Sequence, residues 1–515
     1  MITRQSRGPS AEVTPTSRAS SSGSNCIIYA GVAANLTTVR GVQMSTIKPN
    51  RKMFEYLPIF LGIAASLVAG LLSFAIGPLT ADTGYSSTVT TVLLLAGIGA
   101  TIFAFACPIN LLPSAVLLVF ALVPKRLLPD VLGDFHPAAI MIVVWALRVA
   151  FIRRDRTRSM LLREKSTAAA AVLMVAWLAV STIFALDKPV SLGWTMTFAI
   201  CVLIPVFIPM EVKARENLLA IWRWIGAALG ALGVVELATS RNVLFGYIYD
   251  VVGSDGQHWD SYRATMTFGH PLFAGMFLAC SSALAVAYWF REHSKMAVLV
   301  VLGNVGGLVS TLSRGGLLAL AIAATFGLLY LVVTTEGKRG RALLLGLAGS
   351  LGATAFLALN PAILSRFASD EASGSLTQRL RTITIATDQA QLLPLTGAGP
   401  GNSALGIGNA IVSLRYIENS SLQVLLGAGF VGVAVFVIIL VLALRNAWRL
   451  RDLDGLMLLT AFAVAIGTYN AIDDQRATMA ILGLVLFATA RHGHNESFSV
   501  PELNGRLERA TSRFE

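Results

Sequence analysis

The chain has 515 residues, 55% of them hydrophobic and only 13% charged, with a mean hydropathy of +0.69. A soluble chain carries about 25% charged residues, so a soluble globular protein is excluded. The net charge of +12 sits mainly in short connections between apolar runs, which argues against nucleic acid as a partner and for a topology signal in a lipid bilayer.

Residues 1–52 are rich in Ser, Thr, Gly and Arg and read as a disordered cytoplasmic tail. Its one apolar patch, "CIIYAGVAA", is too short to span a bilayer and lacks a secretory signal layout. Met44 offers an alternative start. An N-terminal transmembrane bundle then fills 53–238, with spans near 55–76, 88–106, 109–124, 134–152, 167–186, 192–210 and 218–238. A polar loop, 239–270, separates it from spans near 271–290, 296–312, 315–335 and 341–359, the 271–359 group. A second polar segment, 360–418, runs for 59 residues. It contains the helix-like "SLTQRLRTITIATDQAQ" and the turn-rich "PLTGAGPGN". C-terminal transmembrane helices occupy 419–490, with spans near 419–443, 455–472 and 477–490, and 491–515 reads as a second cytoplasmic tail.

The fold class is therefore all-α: a polytopic integral membrane protein with about 12–14 transmembrane helices and a long outer loop containing short helices, periplasmic if the membrane is a bacterial inner one. A β-barrel would instead show alternating segments of about 10 residues. No internal repeat stands out. None of Cys26, Cys107, Cys201 and Cys280 falls in the two long polar loops, so neither a disulfide framework nor a cysteine metal site is implied.

Orientation follows from Lys and Arg. With the N-terminus in the cytoplasm and sides alternating, the inner segments hold 27 and the outer ones 11. Both termini are then cytoplasmic, and 239–270 and 360–418 share the outer face. Long loops in a compact protein are commonly functional.

The outer face gathers Arg263, Arg314, Arg379 and Arg381 against the charge bias. A guanidinium presents donors in a fork that matches phosphate oxygens and stays charged at any relevant pH. A ligand with a diphosphate at the bilayer surface accounts for the set; snorkelling to head groups, or pairing with Asp370, Glu371 or Asp388, is the plainer alternative. Glu418 opens the next span, followed by Asn419, Ser420 and Ser421. It reads either as a carboxylate favoured by the helix dipole or as a general base, and Asn419 or Ser420 as a cap. The glycines of "GAGPG" are turn formers whose N–H groups can also approach an anion. "GNVGG" (303–307) reads as helix packing, and His270 as background.

Four stretches carry a resemblance: "RATMTFGHP" (263–271), "TLSRGG" (311–316), "TQRLRTITIATDQAQLLPLTGAGPGN" (377–402) and "IENSSLQVLLGAGFVG" (417–432). In this order they resemble the O-antigen ligase and polymerase family of bacterial envelope glycan assembly. The family's Arg before a span is matched by Arg263, Phe268 and Pro271, its Ser-Arg pair by Ser313 and Arg314, and its Arg-bearing loop helix with a Gly-x-Gly turn by Arg379, Gly397 and Gly399. Asn419, Gly429 and Gly432 fit the spacing of the ligase signature, but its His position is Glu418 here.

The resemblance implies a metal-independent glycosyltransferase of the bacterial inner membrane, with no cofactor. The implied donor is an undecaprenyl-diphosphate-linked glycan, and the acceptor either a lipid-linked repeat unit (polymerase) or lipid A–core (ligase). Other polysaccharide assembly proteins are implied partners, and exopolysaccharide or O-antigen the implied products. Glu418 then serves as catalytic base with Asn419 beside it, and the four arginines bind the diphosphate. The missing His favours polymerase. A secondary transporter of a lipid-linked glycan is the reading from another class; it calls for midplane charges, broken helices and related halves.

Overall fold

The computed structural model describes residues 107–124, 136–152, 165–246, 261–334, 370–408, 417–473 and 475–490. Both tails, the spans expected near 55–76, 88–106 and 341–359, and the middle of the first outer loop lie outside the described residues. Among the described residues every regular element is helical. In chain order these are α1 (Leu112–Leu122), α2 (Pro137–Ile152), α3 (Lys165–Ile183), α4 (Lys188–Phe207), α5 (Val212–Thr239), α6 (Pro271–Glu292) and α7 (Lys295–Ser310). They continue as α8 (Arg314–Thr334), α9 (Asp370–Leu392), α10 (Ser403–Gly408), α11 (Ser420–Arg449), α12 (Leu453–Ile466) and α13 (Thr478–Thr489). Helices α3, α4, α5, α6, α8 and α11 are long and apolar enough to cross a membrane; α1, α2, α7, α12 and α13 are shorter and apolar. The chain is a polytopic all-α membrane protein.

Local sequence explains where the helices begin. The Asp187 carboxylate accepts from Val190 N at 3.1 Å to open α4, and Ser294 Oγ accepts from Ala297 N at 3.1 Å to open α7. His270 Nδ1 accepts from Leu272 N at 3.3 Å, with Pro271 in the first turn of α6. Helix α4 widens into a π-type turn at Ala199–Leu203, just before Pro205. Proline has no N–H to bond back to the Cys201 carbonyl, and the backbone adjusts around that missing donor.

Helix α6 is the centre of the bundle, packed against α5, α7, α8 and α12. Helices α5 and α7 meet through small residues. A methyl added at Gly230 or Gly307 would overlap the facing helix's backbone, and one at Gly226 would strike Ser281 and Asn304. Apolar side chains gain little from each other in lipid, so close backbone approach provides the attraction instead. "GNVGG" is thus a packing motif.

The helices alternate in direction. One end collects the start of α5, the end of α6, the end of α11, the start of α12 and the end of α13. There the buried Arg215 donates to Ala488 O at 2.6 Å and pairs with Asp452, Arg291 pairs with Asp454 at 2.6 Å, and the Arg223 guanidinium lies 4.4 Å from the Tyr288 ring centre. The opposite end collects the segments that carry the four motifs.

Candidate active site

Two of the motifs are stitched together. Ala264 N donates to Ser310 O at 3.1 Å, and the half-buried Arg263 donates from Nε to Thr311 O at 3.3 Å and from Nη2 to Leu312 O at 3.4 Å. The turn carrying Arg263 therefore lies directly on the turn that leads into Arg314, although the two are 51 positions apart. Arg314 itself is exposed at the first position of α8. Behind it, a methyl at Gly315 would overlap Thr468, so the start of α8 presses on the segment after α12.

That same segment holds the mouth of α11. Ser420 Oγ donates to Tyr469 O at 3.0 Å and accepts from Ala471 N at 3.0 Å, and Gln423 Oε1 accepts from Ile472 N and Asp473 N, each at 3.3 Å. Glu418 is half-buried one residue before the cap. Asn419 is the N-cap: its side-chain oxygen accepts from Ser421 N at 2.9 Å and Leu422 N at 3.2 Å. Its Oδ1 is occupied in fixing the helix start, and with it the direction in which the chain presents Glu418.

Helix α9 carries Arg379 and Arg381. Arg381 is exposed, and the Arg379 side chain lies outside the described residues. The later part of α9 packs Ala386 and Ala390 into a small core with Ile407 of α10, Ile417, and Leu425 and Leu426 of α11. The long loop is therefore anchored to the helix that Glu418 opens.

The span expected as continuous over 419–443 is interrupted. Gly429 has φ 69° and ψ −173°, a conformation open essentially to glycine alone. Carbonyls of α11 that would bond within the helix take donors from the Gly-rich turn instead: Ala398 N donates to Leu426 O at 2.7 Å and Gly399 N to Gly427 O at 3.0 Å. In return, Phe430 N donates to Pro394 O at 2.9 Å. Ser181 Oγ reaches both Thr396 O (2.5 Å) and Gly427 O (3.1 Å), and Trp177 Nε1 donates to Ala428 O at 2.8 Å. The "GAGPG" turn is a wedge that seals a helix break, and the amides of Ala398 and Gly399 are engaged there rather than turned toward an anion.

Residues 296–437 match a family model described as O-Antigen ligase. This segment of the chain is therefore similar to the O-antigen ligase family. The matched segment runs from α7 to the middle of α11 and includes Arg314, Arg379, Arg381, Glu418 and Asn419, while Arg263 precedes it. No curated protein matches the chain. The match supports a glycan-transfer function of the ligase or polymerase type.

Two carboxylates at the motif-bearing end of the bundle escaped the sequence reading. Asp473 lies in the connection between α12 and α13, near Ser403, Trp194 and Arg476. Burial pushes its carboxyl up to about 6, against the pull of hydrogen bonding from Ser403 and of the Arg476 charge. Its Oδ2 is sealed from solvent with no hydrogen-bond partner among the described residues. The signal was present: "DDQR" places two acids directly between apolar runs, which a bare turn does not need. Glu236, fully buried near the end of α5, is the other. A lone acid one turn before a span's end reads as interfacial, and its partners come from the loop beyond.

Proposed function

We propose that the protein is an inner-membrane glycosyltransferase that moves a glycan from an undecaprenyl-diphosphate carrier to a sugar hydroxyl on the outer face, working as a polymerase on a second lipid-linked repeat unit. The observation that carries this reading is the junction of three distant motifs. The Arg263 turn lies on the turn into Arg314, and the segment behind Gly315 holds the helix mouth that bears Glu418.

In this reading Glu418 takes the proton of the acceptor hydroxyl. The freed oxygen bonds the anomeric carbon from the face opposite the leaving group, so the configuration inverts. The bond from that carbon to the diphosphate oxygen breaks, and its electron pair leaves with the lipid diphosphate. Arg263, Arg314, Arg379 and Arg381 stabilise the charge that develops there, the part a metal ion plays in other transferases. Asn419, as the cap, keeps the carboxylate at the depth of the diphosphate.

Glu418 at the position where ligases of the family carry His favours polymerase over lipid A–core ligase. The transporter reading asks for a broken helix, and α11 has one. Its freed carbonyls are taken by Ala398, Gly399, Ser181 and Trp177, which leaves them no part in a solute path.

The test is transfer by the purified protein in nanodiscs from a lipid-diphosphate-linked glycan. Glu418→Gln should lower kcat by about 10²–10⁴-fold with the fold intact, and Arg314→Lys should also impair transfer, since an ammonium cannot reproduce a bidentate fork. Near-normal turnover by Glu418→Gln would refute the assignment of the base. Offering a lipid-linked repeat unit and lipid A–core side by side separates polymerase from ligase.

A further inference from the structure

Glu236 has no exposed surface, and a buried carboxylate is costly unless donors surround it. Donors do. Its Oε1 accepts from Thr265 N at 2.8 Å, Tyr262 Oη at 2.9 Å, Thr265 Oγ1 at 3.1 Å and Asn242 Nδ2 at 3.4 Å, and its Oε2 accepts from Met266 N at 2.8 Å. Only an acceptor on both oxygens suits this set; an amide would turn a second donor toward an N–H. Three of the residues that donate (Tyr262, Thr265 and Met266) bracket Arg263.

The clamp holds a shape the loop would not keep unaided. Met266 has φ 52°, and Leu312, across the junction, has φ 53°. Both are side-chain-bearing residues in the left-handed region, which persists only where the surroundings over-determine it. The Met266 N–H on Glu236 fixes one side. The bonds from Arg263 to Thr311 O and Leu312 O tie the other side to it. Asn242 adds a second tether, donating to Met266 O at 2.8 Å and Thr265 Oγ1 at 3.0 Å.

We propose that Glu236 is a positioning residue for the donor diphosphate: it holds residues 262–266 so that the Arg263 guanidinium is fixed in direction and depth beside the turn that carries Arg314. The proposal rests on the reading of Arg263 as a diphosphate ligand. Glu236 acts through the loop and touches no substrate.

The test uses the full-length protein in nanodiscs, with KM measured separately for the lipid-diphosphate-linked donor and for the acceptor. Glu236→Gln should raise the donor KM by about tenfold, the scale of one hydrogen bond to a charged group, and leave the acceptor KM unchanged. In an Arg263→Ala background the same substitution should add nothing, because the residue it positions is gone. A merely structural role predicts parallel loss on both substrates and multiplying effects in the double variant, and either result overturns the proposal. Should Glu236→Gln fail to fold, Tyr262→Phe removes one donor from the clamp and should still raise the donor KM a few-fold; an unchanged donor KM overturns the proposal. An Arg263→Ala variant of normal activity would sink the diphosphate reading as well, whereas an impaired Arg263→Ala with multiplying effects sinks only the role of Glu236.

Discussion

Replacing Gly429 by alanine tests whether the break in α11 is built into the fold. At φ 69° and ψ −173° a side chain is strained by about 1–3 kcal/mol. The new methyl would also overlap the Leu395 carbonyl and stand 2.8 Å from Pro394 O. Neither atom is the tip of a flexible side chain, so the loop must withdraw. Withdrawal removes the bonds Ala398 N to Leu426 O, Gly399 N to Gly427 O and Phe430 N to Pro394 O, each contributing about 0.5–1.5 kcal/mol. Strain and lost bonds together come to about 2.5–7.5 kcal/mol, a large part of the roughly 5–15 kcal/mol that holds a typical protein folded. A straightened α11 recovers some of its own bonds, but at the expense of the wedge, so the turn after α9 comes loose either way. The assay is a melting midpoint of the detergent-solubilised protein together with transfer activity. Gly306→Ala serves as control, since its methyl meets only Val234 Cγ2, at 3.3 Å. Gly429→Ala should fall well below the control on both measures. A variant that melts and turns over like wild type would refute the argument.

The remaining predictions concern topology, titration and the base. In a cysteine-free background, a cysteine at the exposed position Asp388 should be labelled from outside intact cells and one at His293 should be protected; the reverse pattern would invert the orientation. Position 402 is a poor probe, because Asn402 is buried and bonded to Asp187 O, Ser191 Oγ and Ala398 O. Asp473 has its carboxyl raised from 3.8 to about 6 in the folded state, so folding takes up a proton between those values, and stability falls as pH rises through them and levels off above. Wild type should therefore gain melting temperature relative to Asp473→Asn between pH 7 and pH 5, and a pH-independent difference would contradict the burial of this group. Glu418→His restores the ligase signature and should keep measurable transfer with a pH profile moved toward a histidine pKa of about 6.5; an inactive but folded variant would argue against interchangeable bases at this position.

Composition and periodicity were enough to determine an all-α membrane protein and to mark the eleven apolar helices found among the described residues, because a segment that crosses lipid must satisfy its backbone internally and show a long apolar run. The four motif stretches were also legible, since charge next to a span is costly and stands out. The sequence by itself did not determine which of these stretches touch. Arg263 meets the Arg314 turn through backbone carbonyls, and carbonyls carry no signature in a sequence. Nor did it reveal the break at Gly429, which is hidden in a run as apolar as any continuous span and made possible by donors from a turn some 30 positions earlier. Glu236 escaped for the same reason, whereas Asp473 left a trace in the two acids of "DDQR" between apolar runs. Burying a carboxylate is worthwhile only where distant segments supply its donors, and only the tertiary structure brings those segments together.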